Sequence, residues 1–420
     1  MKRKISIPSG VICLLVILAI FGYLGYTMGL ANMLNTIMKT AHDLLLNCVL
    51  YIMGICVITG ALSKILIDFG VVDLMQKILR PVMKPLFNLP GVASLGAVLT
   101  FLSDNPAIIS LAKDRKFASY FKKYQFISLT NFGTAFGMGI IVIVFMLGQG
   151  YVSEPFVGLI GAVVGCIVST RFMQYFICKD YPQYRDENAV EDTVKAPEAQ
   201  SAADQHDACQ NSDADIEEGQ TSNPQTNALM ESKSEAEGND STFVRILNGL
   251  LDGGKSGVDI GLAIIPGVLV ISTFVMMLTF GGASGTDEAG NAITVYTGAA
   301  YEGTRLLPWL AGKISFVFEW LFGFTAPELV AFPITALGAV GAALGLVPGF
   351  IQQGIMDGNA IAVCTAMGMC WSGYLSTHTA MLDLLGYRKL LSRAFLSHFL
   401  GGLAAGIAAH WIYVGLLAVL

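Results

Sequence analysis

Charge is what this chain has least of. Asp, Glu, Lys and Arg make up 13% of the 420 residues, about half the share of a soluble domain. With 54% hydrophobic residues and a mean hydropathy of +0.61, the chain is excluded from the water-soluble class. Catalytic and metal-binding patterns are missing as well. No HExxH, no GxSxG and no His/Cys cluster with metal spacing occurs, and the eight cysteines form no CxxC pair. Cys13, Cys48, Cys56, Cys166, Cys364 and Cys370 fall inside apolar segments, as small buried hydrophobes do. The chain therefore reads as no enzyme, without a resident cofactor. Its basic residues lie where membrane topology places them and do not read as a nucleic-acid surface.

What is present is a series of apolar runs. A helix needs about 20 apolar residues to cross a bilayer. Seven runs qualify: 10–30, 44–67, 127–148, 155–178, 257–280, 358–382 and 396–419. Between residues 180 and 241 stand 16 acidic against 3 basic residues, a net of −13, and the remainder carries 22 basic and 15 acidic residues. This acidic stretch has no apolar period and cannot offset its chain entropy by burial. It reads as a solvated linker between a first membrane half, 1–179, and a second, 242–420.

The two halves share a pattern. Leu95-Gly96-Ala97-Val98 with Pro106 in the first half returns as Leu337-Gly338-Ala339-Val340 with Pro348. Leu34-Asn35 and Gly54 to Thr59 match Leu247-Asn248 and Gly267 to Ser272 at an offset of 213, and Thr134 to Gly139 matches Thr365 to Cys370 at an offset of 231. Lys2-Arg3-Lys4 precedes a first run with no clean cleavage site, so that run is expected to be a retained helix with its N-terminus inside. Basic clusters at Lys64, Lys77, Arg80 and Lys84, and at Lys113, Arg115, Lys116, Lys122 and Lys123, also belong inside. The apolar segment between them, 91–111, then dips in and returns, with Ser103-Asp104-Asn105-Pro106 as its turn. Continuing the rule places the linker inside and runs the two copies in opposite directions. The expected fold is all-α: a polytopic membrane protein of about seven transmembrane helices plus two re-entrant hairpins in inverted repeats. Amphipathic stretches around 71–86 and 305–322 belong at the membrane interface. Inverted repeats with Pro- or Gly-interrupted segments point to a secondary transporter whose site lies where the repeats meet.

Polar residues inside apolar runs are functional candidates. At the first break these are Asp104 and Asn105, where Pro106 disfavours helix and frees carbonyls. Thr325 and Glu328 flank Pro327, and the carboxylate there fits either a ligand contact or a helix cap. A third group comprises Gln353, Asn359, Ser376 and Thr377, with Asn131 and Thr134 in the partner region. His378 beside them fits a structural role or a proton carrier.

The run Gly249-Leu250-Leu251-Asp252-Gly253-Gly254-Lys255-Ser256-Gly257-Val258, leading into Ile264-Ile265-Pro266-Gly267, and the later Ala326-Pro327-Glu328-Leu329 resemble the nucleoside recognition (Gate) domain family of bacterial membrane proteins. The resemblance covers about residues 40–150 and 245–400, with the first half as the more divergent copy. It implies kinship with concentrative nucleoside transporters, and with membrane parts of ferrous-iron transporters and spore-maturation proteins. Thr325-Ala326-Pro327-Glu328 is similar to the Thr-Glu-Ala-Pro hairpin motif of the concentrative transporters, with the acid after the proline instead of before the alanine. The implied function is alternating-access transport of a small polar solute, such as nucleosides or related compounds, coupled to Na+ or H+. The alternative is a non-transporting membrane scaffold or spore-maturation-like factor. The implied setting is the bacterial inner membrane, multi-pass in the lipid bilayer, with a homo-oligomer left open.

Overall fold

The computed structural model describes residues 7–103, 106–113, 115–189, 242–287 and 291–419. The hairpin-tip pair Asp104-Asn105, the basic N-terminal triplet and the acidic segment beyond Ala189 lie outside the described residues.

Helix α1 (Ile7–Met28) precedes a span of 39 residues, Leu30–Asp68. Within it α2 (Leu30–Asp43) passes through a π-helical turn into α3 (Leu50–Asp68). The amphipathic α4 (Val71–Val82) runs on to Phe87, and the chain then bends by 115° into α5 (Ala93–Leu102). Val72 of α4 is buried and Met75 and Leu79 pack beside it, whereas Leu74 and Ile78 are exposed together with Lys77 and Arg80. Helix α6 (Pro106–Lys113) folds back on α5, so that Gly96 lies against Ile108, and the short α7 (Arg115–Ala118) follows. Then come α8 (Lys123–Thr134), α9 (Gly139–Gly148) and the 27-residue α10 (Glu154–Asp180).

The described chain resumes at Thr242. A 38-residue span contains α11 (Thr242–Pro266) and, after another π-helical turn, α12 (Thr273–Thr279). A two-stranded antiparallel ribbon, β1 (Ala283–Thr286) and β2 (Ala292–Val295), is the one departure from all-α structure among the described residues. Helices α13 (Leu306–Gly312) and α14 (Ser315–Phe322) lead through a 77° bend into a helical arm that ends as α15 (Ala331–Gly338). Short helices α16 (Val340–Leu344) and α17 (Val347–Gln352) follow, then α18 (Gly358–Cys370), α19 (Tyr374–Leu384) and the 27-residue α20 (Leu391–Leu417).

Among the described residues six helices are long and apolar enough to cross a membrane, or eight if each bent pair is counted as one crossing, against the seven runs in the sequence. The run 358–382 is a broken helix: Cys370 ends α18 and Gly373, at φ 63°, opens α19. Met138, at φ 55°, does the same between α8 and α9. The two breaks stand 235 residues apart, from 138 to 373, as do the helix starts at Lys123 and Gly358. The letter match at 231 is therefore one helical turn out of register. A second correction concerns Leu-Gly-Ala-Val. In α5 it is continuous helix, whereas in the second copy the chain breaks inside it, at an extended Ala339 (φ −162°, ψ 121°). Val347-Pro348 opens α17 directly after the two-residue turn Gly345-Leu346, with proline in the first turn, where no N–H partner is needed.

Like helices of the two halves pack on each other through glycine. A Cβ on Gly60 of α3 would stand 2.5 Å from the Gly253 carbonyl of α11, and one on Gly257 would collide with the Cys56 carbonyl. In the same way Gly165 of α10 abuts Gly401 and Ala405 of α20, each 2.6 Å from its would-be Cβ. Small residues let membrane helices approach to backbone contact. This contact also explains Gly249 to Ser256, whose letters satisfy the phosphate-loop pattern GxxxxGK[ST]. Those residues form continuous helix within α11 and not a loop that could cradle a phosphate, so the glycines serve packing.

Candidate functional site

The densest polar cluster lies where the broken helices of the two halves meet. Asn131 on α8, Ser169 on α10, His378 on α19, and Ser397 and His398 on α20 are all fully buried. Asn131 donates from Nδ2 to Ser169 Oγ at 3.0 Å, to Ser397 Oγ at 2.8 Å and to the Ala394 carbonyl at 3.2 Å. His398 Nε2 lies 2.5 Å from the Cys370 carbonyl, which can only accept, so Nε2 carries the hydrogen. Its Nδ1 then accepts from Ser169 Oγ at 2.7 Å. The hydrogen bonds thus run in one direction, from Asn131 through Ser169 to His398, and they cross between the halves.

Two members of this cluster keep unused capacity. Asn131 Oδ1 and both ring nitrogens of His378 have no well-directed hydrogen bond, and only the Tyr374 carbonyl, one turn earlier, stands near the His378 ring. The imidazoles of His378 and His398 are 4.5 Å apart between centroids, and Tyr374 and Phe395 complete a four-ring group. Unpartnered polar groups at this depth are costly, which sets the cluster apart from ordinary helix packing.

The other candidates fall elsewhere. Thr134 is buried and donates to the Thr130 carbonyl within its own helix. Asn359 donates to the Phe322 and Gly323 carbonyls at 2.8 and 3.1 Å, and its Oδ1 accepts from His410 Nδ1 at 2.8 Å, so it ties α14, α18 and α20 together. Thr325, Gln353 and Ser376 are exposed, and Thr377 is buried beside His378. Asp104 and Asn105 lie outside the described residues. Their neighbour Ser103 lines a cavity of about 40 Å³ beside Gly60, Gly253 and Ser256, and Ser63 donates to the Leu102 carbonyl at 2.8 Å. The end of α5, at Leu102 and Ser103, thus reaches the α3–α11 crossing.

Glu328 pairs with Arg305 at 2.5 Å, beside an open cleft of about 580 Å³ lined by Tyr23, Arg305, Trp309 and Pro327. The carboxylate is mostly buried and the Arg305 side chain is 64% exposed. This asymmetry fixes an expectation for two variants. Glu328→Gln returns a solvated arginine to water and should cost less than about 1 kcal/mol. Arg305→Ala strands a buried carboxylate and should cost about 2 kcal/mol. Unfolding midpoints of the two variants in the same detergent check the order; equal midpoints would mean that the pair contributes by contact alone.

Sequence reasoning missed His398, Ser169, Ser397, Arg305 and His410. An ionisable residue in the apolar run 396–419 was a sufficient signal for His398 and His410. Ser169 and Arg305 carry no such signal, since their roles depend on helices distant in sequence.

A family model described as Gate, nucleoside recognition, matches residues 49–150, from the start of α3 to the end of α9. The match falls on the half that the sequence reading took as the more divergent copy. An uncharacterized protein of Alkalihalophilus pseudofirmus is 32% identical over 112 residues, which cover 25% of this chain and 24% of that protein. The aligned segment therefore spans about a quarter of that relative's length. No solved structure matches the chain.

Proposed function

We propose that the chain is a bacterial inner-membrane transporter of a small polar solute, working by alternating access, with nucleosides as the first class to test. The observation that carries this reading is the polar cluster at Asn131, Ser169, His378 and His398, drawn from the broken helices and the 27-residue helices of both halves. A carrier needs a site that both halves share, because moving one half against the other must expose it to either side. In this reading the halves are inverted repeats, with the N-terminus and the acidic linker on the cytoplasmic side. The α3–α11 and α10–α20 crossings support such an arrangement, since a pseudo-two-fold axis brings equivalent helices into contact. The unused Oδ1 of Asn131 and the His378 nitrogens supply an acceptor and a donor for a hydroxyl or amide. Asp104 and Asn105 belong to the same proposal, at the hairpin tip.

The test is uptake of tritiated uridine and adenosine into proteoliposomes containing the full chain. Asn131→Leu, close in volume but without hydrogen-bonding groups, should lower uptake at least about tenfold, the effect of losing one buried polar contact. Uptake of neither nucleoside by the folded wild type sinks the nucleoside assignment. Full activity in Asn131→Leu sinks the assignment of the site.

A further inference from the structure

We propose that the His378–His398 pair is a proton-binding site whose occupancy is linked to separation of the two halves. His378 comes from the broken helix of the second half, and His398 is held by Ser169 of the first half. Both rings are fully buried. Both nitrogens of His398 are engaged, one accepting from Ser169 and the other donating to Cys370. The lone pair open to a proton is therefore on His378. Taking it up turns a neutral ring into an imidazolium with two N–H donors and one positive charge.

The surroundings decide what that charge would do. On its own helix His378 faces Tyr374, and on α20 it faces Phe395 and His398. Cys370 on α18 and Cys166 on α10 stand beyond His398 and are buried, neutral thiols. On α8, Lys123 pairs with Glu187, and Tyr124 accepts from Asn88. Asp383 and Arg388 pair with each other, Arg393 pairs with Asp180, and Lys389 contacts Tyr184. Lys113 at the end of α6 is exposed, and α15 contributes no titratable residue. No carboxylate among the described residues is within ion-pair distance of either imidazole. A buried cation without a counter-charge is strongly disfavoured, so the packed form holds the pair neutral. Water must reach the site before the proton can stay. Proton uptake and parting of the helices are then one linked equilibrium.

The sign follows. The neutral pair belongs to the packed state, so acid favours the parted one. The effect grows as pH falls below about 6.5, the value of a solvated histidine, and each pH unit shifts the ratio of states by up to about tenfold per proton. Trp371 reports on it, since it is buried, stacks on Phe399 at 5.5 Å and donates to the His398 carbonyl at 3.3 Å. Trp309, Trp320 and Trp411 are exposed and can be replaced by Phe. In the full chain carrying Trp371 alone, acrylamide quenching should rise severalfold between about pH 7.5 and about pH 5. His378→Gln should remove most of this rise, and His378→Leu serves if the amide variant does not fold. Quenching that is equal at both pH values in the wild type, or a rise unchanged in the His378 variants, overturns the proposal. The readout uses no solute, so failure of nucleoside uptake leaves it standing, and success of uptake does not rescue it.

Discussion

Gly257→Ala is expected to destabilise the protein by about 3 kcal/mol, while Gly254→Ala on the same helix leaves stability unchanged or raises it by about 0.5–1 kcal/mol. The reason is geometric. A Cβ at Gly257 runs into the Cys56 carbonyl and comes within 2.5 Å of Val57 Cα, which are backbone atoms of α3 that no rotamer change can move. A Cβ at Gly254 meets only Val57 Cγ1, at 3.7 Å, an ordinary contact. The helices must separate in the first case, and the packing around Gly60 and Gly253 is lost with that movement. Thermal unfolding of both variants in one detergent decides it. Equal midpoints would show that the crossing tolerates a methyl group and that the glycines are not what brings the halves together.

The all-α, membrane-spanning character and the helix start at Pro106 were legible because they rest on apolar length and on proline. The basic face of α4 opposite an apolar one likewise follows from spacing alone. What the letters misplaced was register. Thr134 to Gly139 and Thr365 to Cys370 look alike because small residues recur every turn at a close crossing, so a match one turn out scores as well as the true one. Leu-Gly-Ala-Val misled for a related reason. The same four residues are helical in α5 and broken at Ala339, because the packing partners decide and the segment has little preference of its own. Of the candidate site, Asn131 and His378 could be reached through the rule that polar groups inside a membrane are costly. The link from Asn131 through Ser169 to His398 could not, since the Ser169–His398 contact joins residues 229 apart in sequence and exists only because α10 lies on α20. Glu328 stands in the first turn of the helix begun by Pro327, as one of its two readings had it, and Arg305, 23 residues earlier, adds a charge partner that spacing does not show.

Tyr184→Ala should detach residues 181–189 from the membrane domain. Those residues form a strap after α10, fixed by the Lys123 N–H donating to the Glu187 carbonyl at 2.9 Å and the Ala189 N–H donating to Phe121 at 3.2 Å. Tyr184 is the strap's centre. It stacks on Tyr181 at 5.0 Å, meets Tyr387 edge-on at 6.0 Å, has Lys123 Nζ 4.2 Å from its ring centre, and holds Lys389 at 3.3 Å through its hydroxyl. Losing a buried aromatic ring together with a desolvated cation–π contact costs about 3 kcal/mol. That loss should appear as an approximately hundredfold drop in hydrogen-exchange protection of the Lys123 and Ala189 amides, with the transmembrane helices unaffected. Tyr184→Phe keeps the ring and gives up one hydrogen bond to a half-exposed lysine, so its protection should fall less than tenfold. An equal drop in both variants would locate the strap's hold in the hydroxyl, and no drop in the alanine variant would locate it in the backbone bridges. Because Tyr387 and Lys389 belong to the second half and Lys123 to the first, the strap joins the halves at the foot of both broken helices. The strap therefore ties the chain up to Ala189 to the helices that carry the polar cluster.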